Sequence, residues 1–472
     1  MDQSNIHQNS QALGQVQVQG EQGSDNITID EIDHVVPDQD EQGDIPMDDD
    51  DEGEDDDGMN EQDSDQELEM DDQAEGGGAG MDQEQQEEFK DTSIAAFYSH
   101  RKSLFCIKLH PSYPKPPLAL SGGEDDGGWI WDTREGREVK RLDGHKDSVT
   151  SVSWNNQGDL AATGGMDGKV KIWKCKDGAS FEDWENLIDL EGPDEVVWLN
   201  WHPKGNVLTA GASDSTVWMW QLPTGKVMNV FSGHTGAVTC GAFTPDGKKL
   251  VTADDDGSLV IWDPRSPSPL GKLQRGDSRF HFDLGITSLT ISPDSKVVVV
   301  GGGSGEIKVV NIGGLDLGTP ASVVGVLPGH QAEESVEKLE FIDLVGTGKF
   351  SHLISASTEG KATVWDVALS KMRCEVVHEA AITNFVVHSG TTLFSTSSAD
   401  HTIKTWDART GACLATQTGF TDGVLALDVG KDDGFTQGSD TGGIGAFTRL
   451  EDYRGWKVVG AGDEGVALVF RV

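Results

Sequence analysis

Basic residues are scarce in this chain. Its 472 residues include 36 Lys and Arg against 81 Asp and Glu, which gives a formal net charge of −45. Nucleic acids and anionic lipids are bound by clustered Lys and Arg, so a surface of this sign repels both and attracts basic polypeptides. The composition therefore argues against direct nucleic-acid binding and membrane attachment, and it favours a basic protein as partner.

Cysteine is also rare, and long apolar runs are missing. The five cysteines are scattered without a CxxC pair, which argues against a disulfide framework and a zinc site. No run approaches the roughly 18 apolar residues of a membrane-spanning helix, and the N-terminus lacks a signal-peptide pattern. We therefore expect a soluble cytoplasmic protein, with the nucleus left open as a second location, that binds no metal.

Short catalytic motifs are absent as well. The chain contains no phosphate-binding glycine loop before a helix, no HExxH and no GxSxG. The glycine-rich stretch 301–305 lies in a turn between predicted strands, so we interpret it as a tight turn. The sequence predicts a protein that is not an enzyme, with no catalytic residues and no cofactor.

The first 91 residues form a predicted acidic tail. Residues 1–90 contain 31 Asp and Glu but a single basic residue, Lys90. Their apolar content is too low to offset the entropy lost on ordering, so we predict that residues 1–91 are disordered. The tail either keeps the protein soluble or gathers and shields basic ligands, and the sequence leaves both open. Residues 92–472 are predicted to form one domain.

That domain repeats one pattern, seen most clearly in residues 233–263. The stretch begins with Gly-His, ends with Trp-Asp and contains three short alternating apolar runs separated by Pro-Asp-Gly and Asp-Asp-Gly turns. Each run has the period of two that a half-buried strand needs. Gly144-His145 and Gly329-His330 open further copies. A period near 40 residues with these ends is typical of a blade in a WD40 β-propeller, so we predict an all-β fold.

The repeats predict eight blades. A lone strand at 93–99 would supply the missing outer strand of the last blade and close the ring, which removes two exposed sheet edges. Seven blades is the alternative, if residues 422–447 and 456–470 do not belong to one blade. Residues 430–455 break the pattern, and we interpret most of them as a loop.

Polar residues within the blades have a predicted structural role. Their spacing matches a hydrogen-bond relay in which an acid, a histidine, a hydroxyl and a tryptophan connect a blade's loops to its strands. Buried polar groups linked in this way avoid a penalty of about 1–3 kcal/mol each. The relay residues that we predict are His145, Thr163, Asp167 and Trp173 in one blade and His234, Thr252, Asp256 and Trp262 in another.

Acidic residues gather in the loops that a propeller brings to one end. Like charges within a Debye length of about 8 Å repel one another, so such a cluster adds nothing to fold stability. An extended basic peptide would relieve the repulsion, although a merely solvated rim remains the alternative. The predicted peptide-binding residues are Glu124, Asp126, Asp147, Asp194, Glu195, Asp255, Glu333, Glu334, Glu359, Glu379, Asp422 and Asp463.

Residues 190–220 resemble one known family. This stretch has Gly-Pro in place of Gly-His and ends Trp-Met-Trp. Together with the acidic tail, residues 110–132 and the WDARTG sequence at 406–411, it is similar to the angio-associated migratory cell protein family of WD-repeat proteins. The resemblance implies the role of the family's fungal member, a dedicated chaperone of large-subunit ribosomal protein L-ten. That role is to bind the client's basic N-terminal peptide during translation and to deliver it to the pre-ribosomal large subunit. We expect the protein itself to be a monomer.

Two other functions remain open. Three WDxR sequences, at 131–134, 262–265 and 406–409, could dock a cullin-type ubiquitin ligase adaptor, which would make the protein a substrate receptor. Acidic tails and propellers also bind histones, so a histone chaperone is the second alternative.

Overall fold

A computed structural model describes residues 90–432 and 455–472, except 179, 278, 347, 349 and 350. The predicted disordered tail, residues 1–91, lies almost entirely outside these residues. Most of the predicted loop at 430–455 lies outside them too.

The described residues form eight antiparallel sheets of four strands, and these sheets are the blades of a propeller. Blades 1 to 4 consist of β2 (Leu104–Leu109), β3 (Leu118–Gly123), β4 (Gly128–Asp132) and β5 (Arg137–Leu142); β6 (Val149–Trp154), β7 (Leu160–Gly165), β8 (Val170–Cys175) and β9 (Trp184–Leu190); β10 (Val196–Trp201), β11 (Val207–Ala212), β12 (Thr216–Gln221) and β13 (Lys226–Ser232); and β14 (Cys240–Phe243), β15 (Leu250–Ala253), β16 (Leu259–Trp262) and β17 (Pro269–Leu273). Blades 5 to 8 consist of β18 (Ile286–Ile291), β19 (Val297–Gly302), β20 (Ile307–Asn311) and β21 (Ser322–Leu327); β22 (Val336–Ile342), β23 (His352–Ser357), β24 (Lys361–Asp366) and β25 (Lys371–Val377); β26 (Ile382–Val387), β27 (Leu393–Ser398), β28 (Ile403–Asp407) and β29 (Ala412–Gln417); and β30 (Val424–Lys431), β31 (Trp456–Gly462), β32 (Ala467–Arg471) and β1 (Ala95–Phe97).

Burial follows the position of each strand in its blade. The second strands of six blades (β3, β7, β15, β23, β27 and β31) are buried along their whole length because neighbouring blades cover both faces. The fourth strands are largely exposed; β13, for instance, has one buried residue in seven. The core therefore consists of apolar layers between blades, which requires small and branched side chains on both faces of the middle strands.

The N-terminal strand closes the ring, as predicted. β1 pairs antiparallel with β32, with Ala95 opposite Val469 and Phe97 opposite Ala467. Phe97 is completely buried, and its ring stacks on Trp131 of blade 1 with 4.8 Å between centroids. The strand is shorter than the predicted 93–99. The eight-bladed fold is confirmed, and the seven-bladed alternative is wrong because β30, β31 and β32 share one sheet.

The innermost strands surround a central channel. Each first strand contacts the first strand of the next blade, and β30 of blade 8 contacts β2 of blade 1. Indole groups reinforce these contacts: Trp154 Nε1 donates to Lys108 O at 3.1 Å and Trp201 Nε1 donates to Ser153 O at 3.3 Å. Within the described residues the single helical element is the 3-10 turn Leu315–Leu317, and no helix has the length and apolar character to span a bilayer.

Candidate peptide-binding surface

Two sets of loops meet at one end of the ring, which we call the upper end. One set connects each blade's fourth strand to the next blade's first strand, and the other joins the second and third strands. A backbone hydrogen bond links the two sets in all eight blades. Examples are Glu124 N to Ser103 O at 2.9 Å, Asp255 N to Ala237 O at 3.1 Å and Asp463 N to Gly423 O at 2.9 Å.

The upper end is strongly acidic, and the opposite, lower end is not. The inter-blade loops of the upper end contain eleven acidic and five basic residues, and its within-blade turns contain thirteen and one. The described loops of the lower end contain ten acidic and nine basic residues, with residues 432–455 set aside. The excess negative charge of the propeller's loops is therefore concentrated at one end, where its field attracts cations.

The structure places all twelve predicted peptide-binding residues in upper-end loops. Three of the twelve are partly buried without a relay role: Glu124, Glu334 and Asp463. Glu334 Oε2 accepts a hydrogen bond from Thr358 Oγ1 at 2.6 Å, and Lys102 Nζ lies 3.3 Å from Glu124 Oε1. Another eight are exposed: Asp126, Asp147, Asp194, Glu195, Asp255, Glu333, Glu379 and Asp422.

Glu359 is the exception, and its assignment to the peptide-binding surface is wrong. Its side chain is 6% exposed, and Oε1 lies 2.5 Å from His330 Nδ1. The other nitrogen of His330 contacts Ser355 Oγ at 2.7 Å, and Trp365 Nε1 donates to the same oxygen. Glu359 is therefore the relay acid of blade 6, where the longer glutamate replaces aspartate.

The relay of blade 2 contains the residues that we predicted. His145 Nδ1 lies 3.0 Å from Asp167 Oδ1, His145 Nε2 lies 2.9 Å from Thr163 Oγ1, and Trp173 Nε1 donates to Thr163 Oγ1 at 3.2 Å. Because the ionised Asp167 can only accept, the proton of the neutral His145 is on Nδ1, and Nε2 accepts the hydroxyl proton of Thr163. Burial lowers the pKa of His145 and stabilises this neutral form.

The acid of the same relay is held ionised. Burial alone would raise the pKa of Asp167, but hydrogen bonds from His145 and from the Lys146 N–H outweigh burial and lower it. The same chain of contacts runs through His100, Ser121, Asp125 and Trp131 in blade 1. The relays fix the base of the acidic surface, because each connects an upper-end loop to the middle strands.

In blade 4 the relay acid is Asp254, and the prediction of Asp256 is wrong. Asp254 Oδ2 lies 2.8 Å from His234 Nδ1, and Asp254 is completely buried. Asp254 stands two residues after the relay threonine, where blade 2 has Gly165. A Cβ built on Gly165 would lie 2.8 Å from His145 Nδ1, so a side chain at this position reaches the histidine first. Asp256 is consequently exposed and adds charge to the surface.

Comparisons with known proteins agree with this architecture. The WD domain, G-beta repeat model matches residues 136–174, 184–221, 225–263, 277–311 and 372–407. Human angio-associated migratory cell protein is 30% identical over 352 residues, which cover 73% of this chain and 77% of that protein. The chain belongs to the angio-associated migratory cell protein family of WD-repeat proteins.

Two relatives of this family member bear on function. Ribosome assembly protein SQT1 of Saccharomyces cerevisiae is 27% identical over 411 residues, covering 82% of this chain and 88% of that protein. The crystal structure of Chaetomium thermophilum Sqt1 bound to the N-terminus of ribosomal protein L10 is similar, with a TM-score of 0.68 and 25% identity; the match covers 81% of this chain and 100% of that one.

Three blades of this family member have no histidine relay among the described residues. Blade 3 has Gly192-Pro193, and Trp220 Nε1 donates to Glu191 O at 3.3 Å instead. In blades 5 and 8, phenylalanines occupy the position of the histidine, namely Phe282 and Phe420. Burial there, together with Asp422 and Asp463, raises the pKa of Glu464. Blade 7 has a complete relay around His378, and the Gly-His pattern does not reveal it because Val377 precedes this histidine.

Asp255 lies in a turn where three neighbouring carboxylates repel one another. It is exposed in an upper-end turn, yet partial burial raises its pKa, and the charges of Asp256 and Asp254 add to this effect. Three consecutive carboxylates therefore share one turn at an energetic cost, and a bound cation would relieve that cost.

The lower end contains the three WDxR sequences. Arg134 pairs with Asp132 of its own tetrapeptide, with NH2 2.6 Å from Oδ2 and Nε 3.1 Å from Oδ1. Arg409 Nε lies 3.5 Å from Asp407 Oδ1 in the same arrangement. These arginines thus stabilise the turns between third and fourth strands. Among the described residues, no group of His, Cys, Asp and Glu could hold a metal ion.

Proposed function

We propose that this protein is an escort for an L10-type ribosomal protein, and that it binds the client's basic N-terminal segment across the acidic upper end. The main support for the proposal is that negative charge is concentrated in the upper-end loops, whereas the lower-end loops are nearly neutral. The relatedness to SQT1 and the Sqt1 complex with the L10 N-terminus support the choice of client.

The chemistry of the surface suits this role. A single exposed ion pair contributes only about 0.2–1 kcal/mol, so affinity requires several carboxylates that act together on an extended basic segment. Exposed acids in most of the eight blades provide such an array. Binding neutralises the segment and keeps the client soluble until it joins the large ribosomal subunit. We place this activity in the cytoplasm, where the client is synthesised, and we propose that it needs neither cofactor nor catalysis.

Charge reversal at the two ends tests the proposal. The upper-end variant carries Asp255→Lys and Glu379→Lys, and the matched lower-end control carries Glu135→Lys and Glu182→Lys, so both change the net charge equally. Affinity for a fluorescent peptide of the L10-type N-terminal segment is measured by anisotropy at low and moderate salt. We expect the upper-end variant to bind about tenfold or more weakly, which corresponds to about 1.4 kcal/mol, and the control to bind like wild type.

Two results would contradict the proposal: equal losses in the two variants, or wild-type binding that does not respond to salt. A histone tail peptide of equal charge serves as competitor. If it displaced the L10-type peptide at equal concentration, a histone chaperone would be favoured. Copurification of a cullin adaptor that is lost on Arg265→Ala would favour the ligase receptor.

A further inference from the structure

The first strand of nearly every blade contains a bulge at the same place. In seven sheets the pairing of the first strand with the second shifts by one residue at the second position of the first strand, close to its upper end. A bulge redirects the side chain of the extra residue. The corresponding residues, one for each blade in ring order, are Phe105, Thr150, Val197, Thr239, Thr287, Glu337, Thr383 and Leu425.

The four threonines among these residues make a hydrogen bond between neighbouring blades. Each threonine hydroxyl lies 2.5 to 2.7 Å from the backbone oxygen of the first residue of the next blade's inner strand, as Thr150 does with Val196 and Thr383 with Val424. A hydroxyl here fastens one blade to the next. Threonine is therefore the residue that the fold favours at this position.

The other four blades lack this threonine hydrogen bond. Phe105, Val197, Leu425 and Glu337 cannot make it, and Phe105 and Val197 are instead 37% and 38% exposed. Phe105 and Val197 lie near the upper ends of innermost strands, so they add apolar surface beside the upper-end loops. Water is a poor environment for phenylalanine and valine, and replacing a satisfied hydroxyl with an exposed apolar group has no benefit for the fold.

The apolar residues lie together on one arc. Leu425 belongs to blade 8, Phe105 to blade 1 and Val197 to blade 3, and only blade 2 separates blades 1 and 3 in the ring. Blade 2 supplies Met166, 43% exposed, at the first position of its upper-end turn, where Met166 N donates to Ser148 O. We call these four residues the apolar arc. Glu337 belongs to blade 6, which is diametrically opposite blade 2.

Carboxylates surround the apolar arc. Glu124 and Asp463 occupy the same turn position in blades 1 and 8 that Met166 occupies in blade 2, and Asp194 and Glu195 lie in the loop that enters blade 3. A ligand that fits the arc therefore has an apolar side chain flanked by positive charges. Its apolar group would exclude water, and the neighbouring ion pairs would strengthen as water leaves.

We infer that the apolar arc of Phe105, Met166, Val197 and Leu425 binds apolar or aromatic side chains of the client's basic segment. This inference rests on the proposed escort function and adds a sequence requirement to it, namely an apolar residue between basic ones. Charge alone would let the surface hold any basic peptide. The apolar arc selects among them.

A double-mutant cycle tests the inference. The protein variants are Phe105→Ser and Val197→Ser, and the peptides are the L10-type N-terminal segment and a series in which each apolar side chain is replaced by serine. For one peptide position, we expect the serine replacement to weaken wild-type binding about tenfold or more, and Phe105→Ser to add no further loss with that peptide. Leu284→Ser is the matched control, since Leu284 is 62% exposed at the upper end but lies in blade 5.

The outcomes separate the two proposals. Wild-type protein that fails to bind the unmodified segment would overturn the escort function and this inference together. Normal wild-type binding with additive losses at every peptide position, or an equal loss in Leu284→Ser, would overturn the inference alone. Near-ultraviolet circular dichroism verifies that each variant is folded.

Discussion

His234 and Asp254 form a fully buried pair, with 2.8 Å between Nδ1 and Oδ2, although a second carboxylate stands two residues further along the chain. Asp254 Oδ1 also accepts the Ser258 N–H at 2.6 Å. Asp254 thus serves two donors that water cannot reach, while Asp256 serves none of them. Asp254 is therefore a structural residue of the turn, and Asp256 is a surface charge.

Alanine substitutions distinguish these two roles. Asp254→Ala leaves the His234 and Ser258 donors unpaired, and each buried unpaired group costs about 1–3 kcal/mol, so we expect the free energy of unfolding to fall by at least about 2 kcal/mol. Asp256→Ala should change it by less than about 0.5 kcal/mol because the residue is exposed. Urea denaturation measures both. Equal costs would show that the two acids share the relay.

The closing strand provides a second prediction. Phe97→Ala removes a completely buried ring that stacks on Trp131, and we expect a loss of about 3–5 kcal/mol in unfolding free energy. Tyr98→Ala is the control, because this neighbouring ring is 70% exposed and should matter by less than about 0.5 kcal/mol. A small effect of Phe97→Ala would mean that the ring is closed without β1.

His388 predicts how stability depends on pH. The side chain is completely buried, Nε2 contacts Ser395 Oγ at 2.8 Å, and burial lowers the pKa of His388 to about 3. The unfolded chain, with a pKa near 6.5, binds this proton more readily. The stabilisation is therefore complete above about pH 6.5 and is lost as pH falls toward 3, by roughly 1.4 kcal/mol per pH unit.

Glutamine at this position should remove that dependence. His388→Gln retains a polar group for Ser395 but does not titrate, so its unfolding free energy should fall less steeply between about pH 6.5 and 4 than that of wild type. Denaturant titrations at several pH values give both slopes. Parallel curves for the two proteins would contradict the assignment of a buried neutral imidazole.

Client binding should depend on pH through Asp255. Partial burial and the charges of Asp256 and Asp254 raise the pKa of Asp255, and a basic peptide binds only the ionised form. As pH falls through this pKa, the carboxylate is neutralised, and affinity decreases. We expect Asp255→Asn to weaken binding at neutral pH and to flatten the pH dependence. Glu135→Gln at the lower end is the control and should keep the wild-type profile.

The blades could be predicted because their pattern is local. Alternation of apolar residues between turn signals determines each strand. The N-terminal strand has no blade of its own and the last blade lacks an outer strand, so the two can only pair with each other. Strand ends were less predictable: β1 is Ala95–Phe97 within the predicted 93–99. The end of a strand depends on which backbone groups meet across the sheet, and no single residue determines that.

The roles of individual acids were harder to predict. Asp254 and Asp256 are both close enough in sequence to reach His234, and the outcome depends on how near the backbone two residues after the relay threonine comes to the histidine, which only the fold shows. Glu359 was placed on the surface because the usual relay acid is the shorter aspartate, yet it stands four residues after Ser355, as Asp167 does after Thr163, and its carboxylate contacts His330. The apolar arc was missed altogether, since the bulges that align Phe105 with Val197 are a property of the sheet register.

The pairing of β1 with β32 has a consequence for biosynthesis. The last blade combines β1, the first strand of the propeller, with β32, which lies more than 300 residues later in the sequence. β1 leaves the ribosome long before β32 is synthesised, so the other seven blades can assemble while the eighth stays incomplete. The circular surface that we propose for the client therefore forms only after β32 has left the ribosome and paired with β1. Client binding across the whole ring has to wait for this pairing.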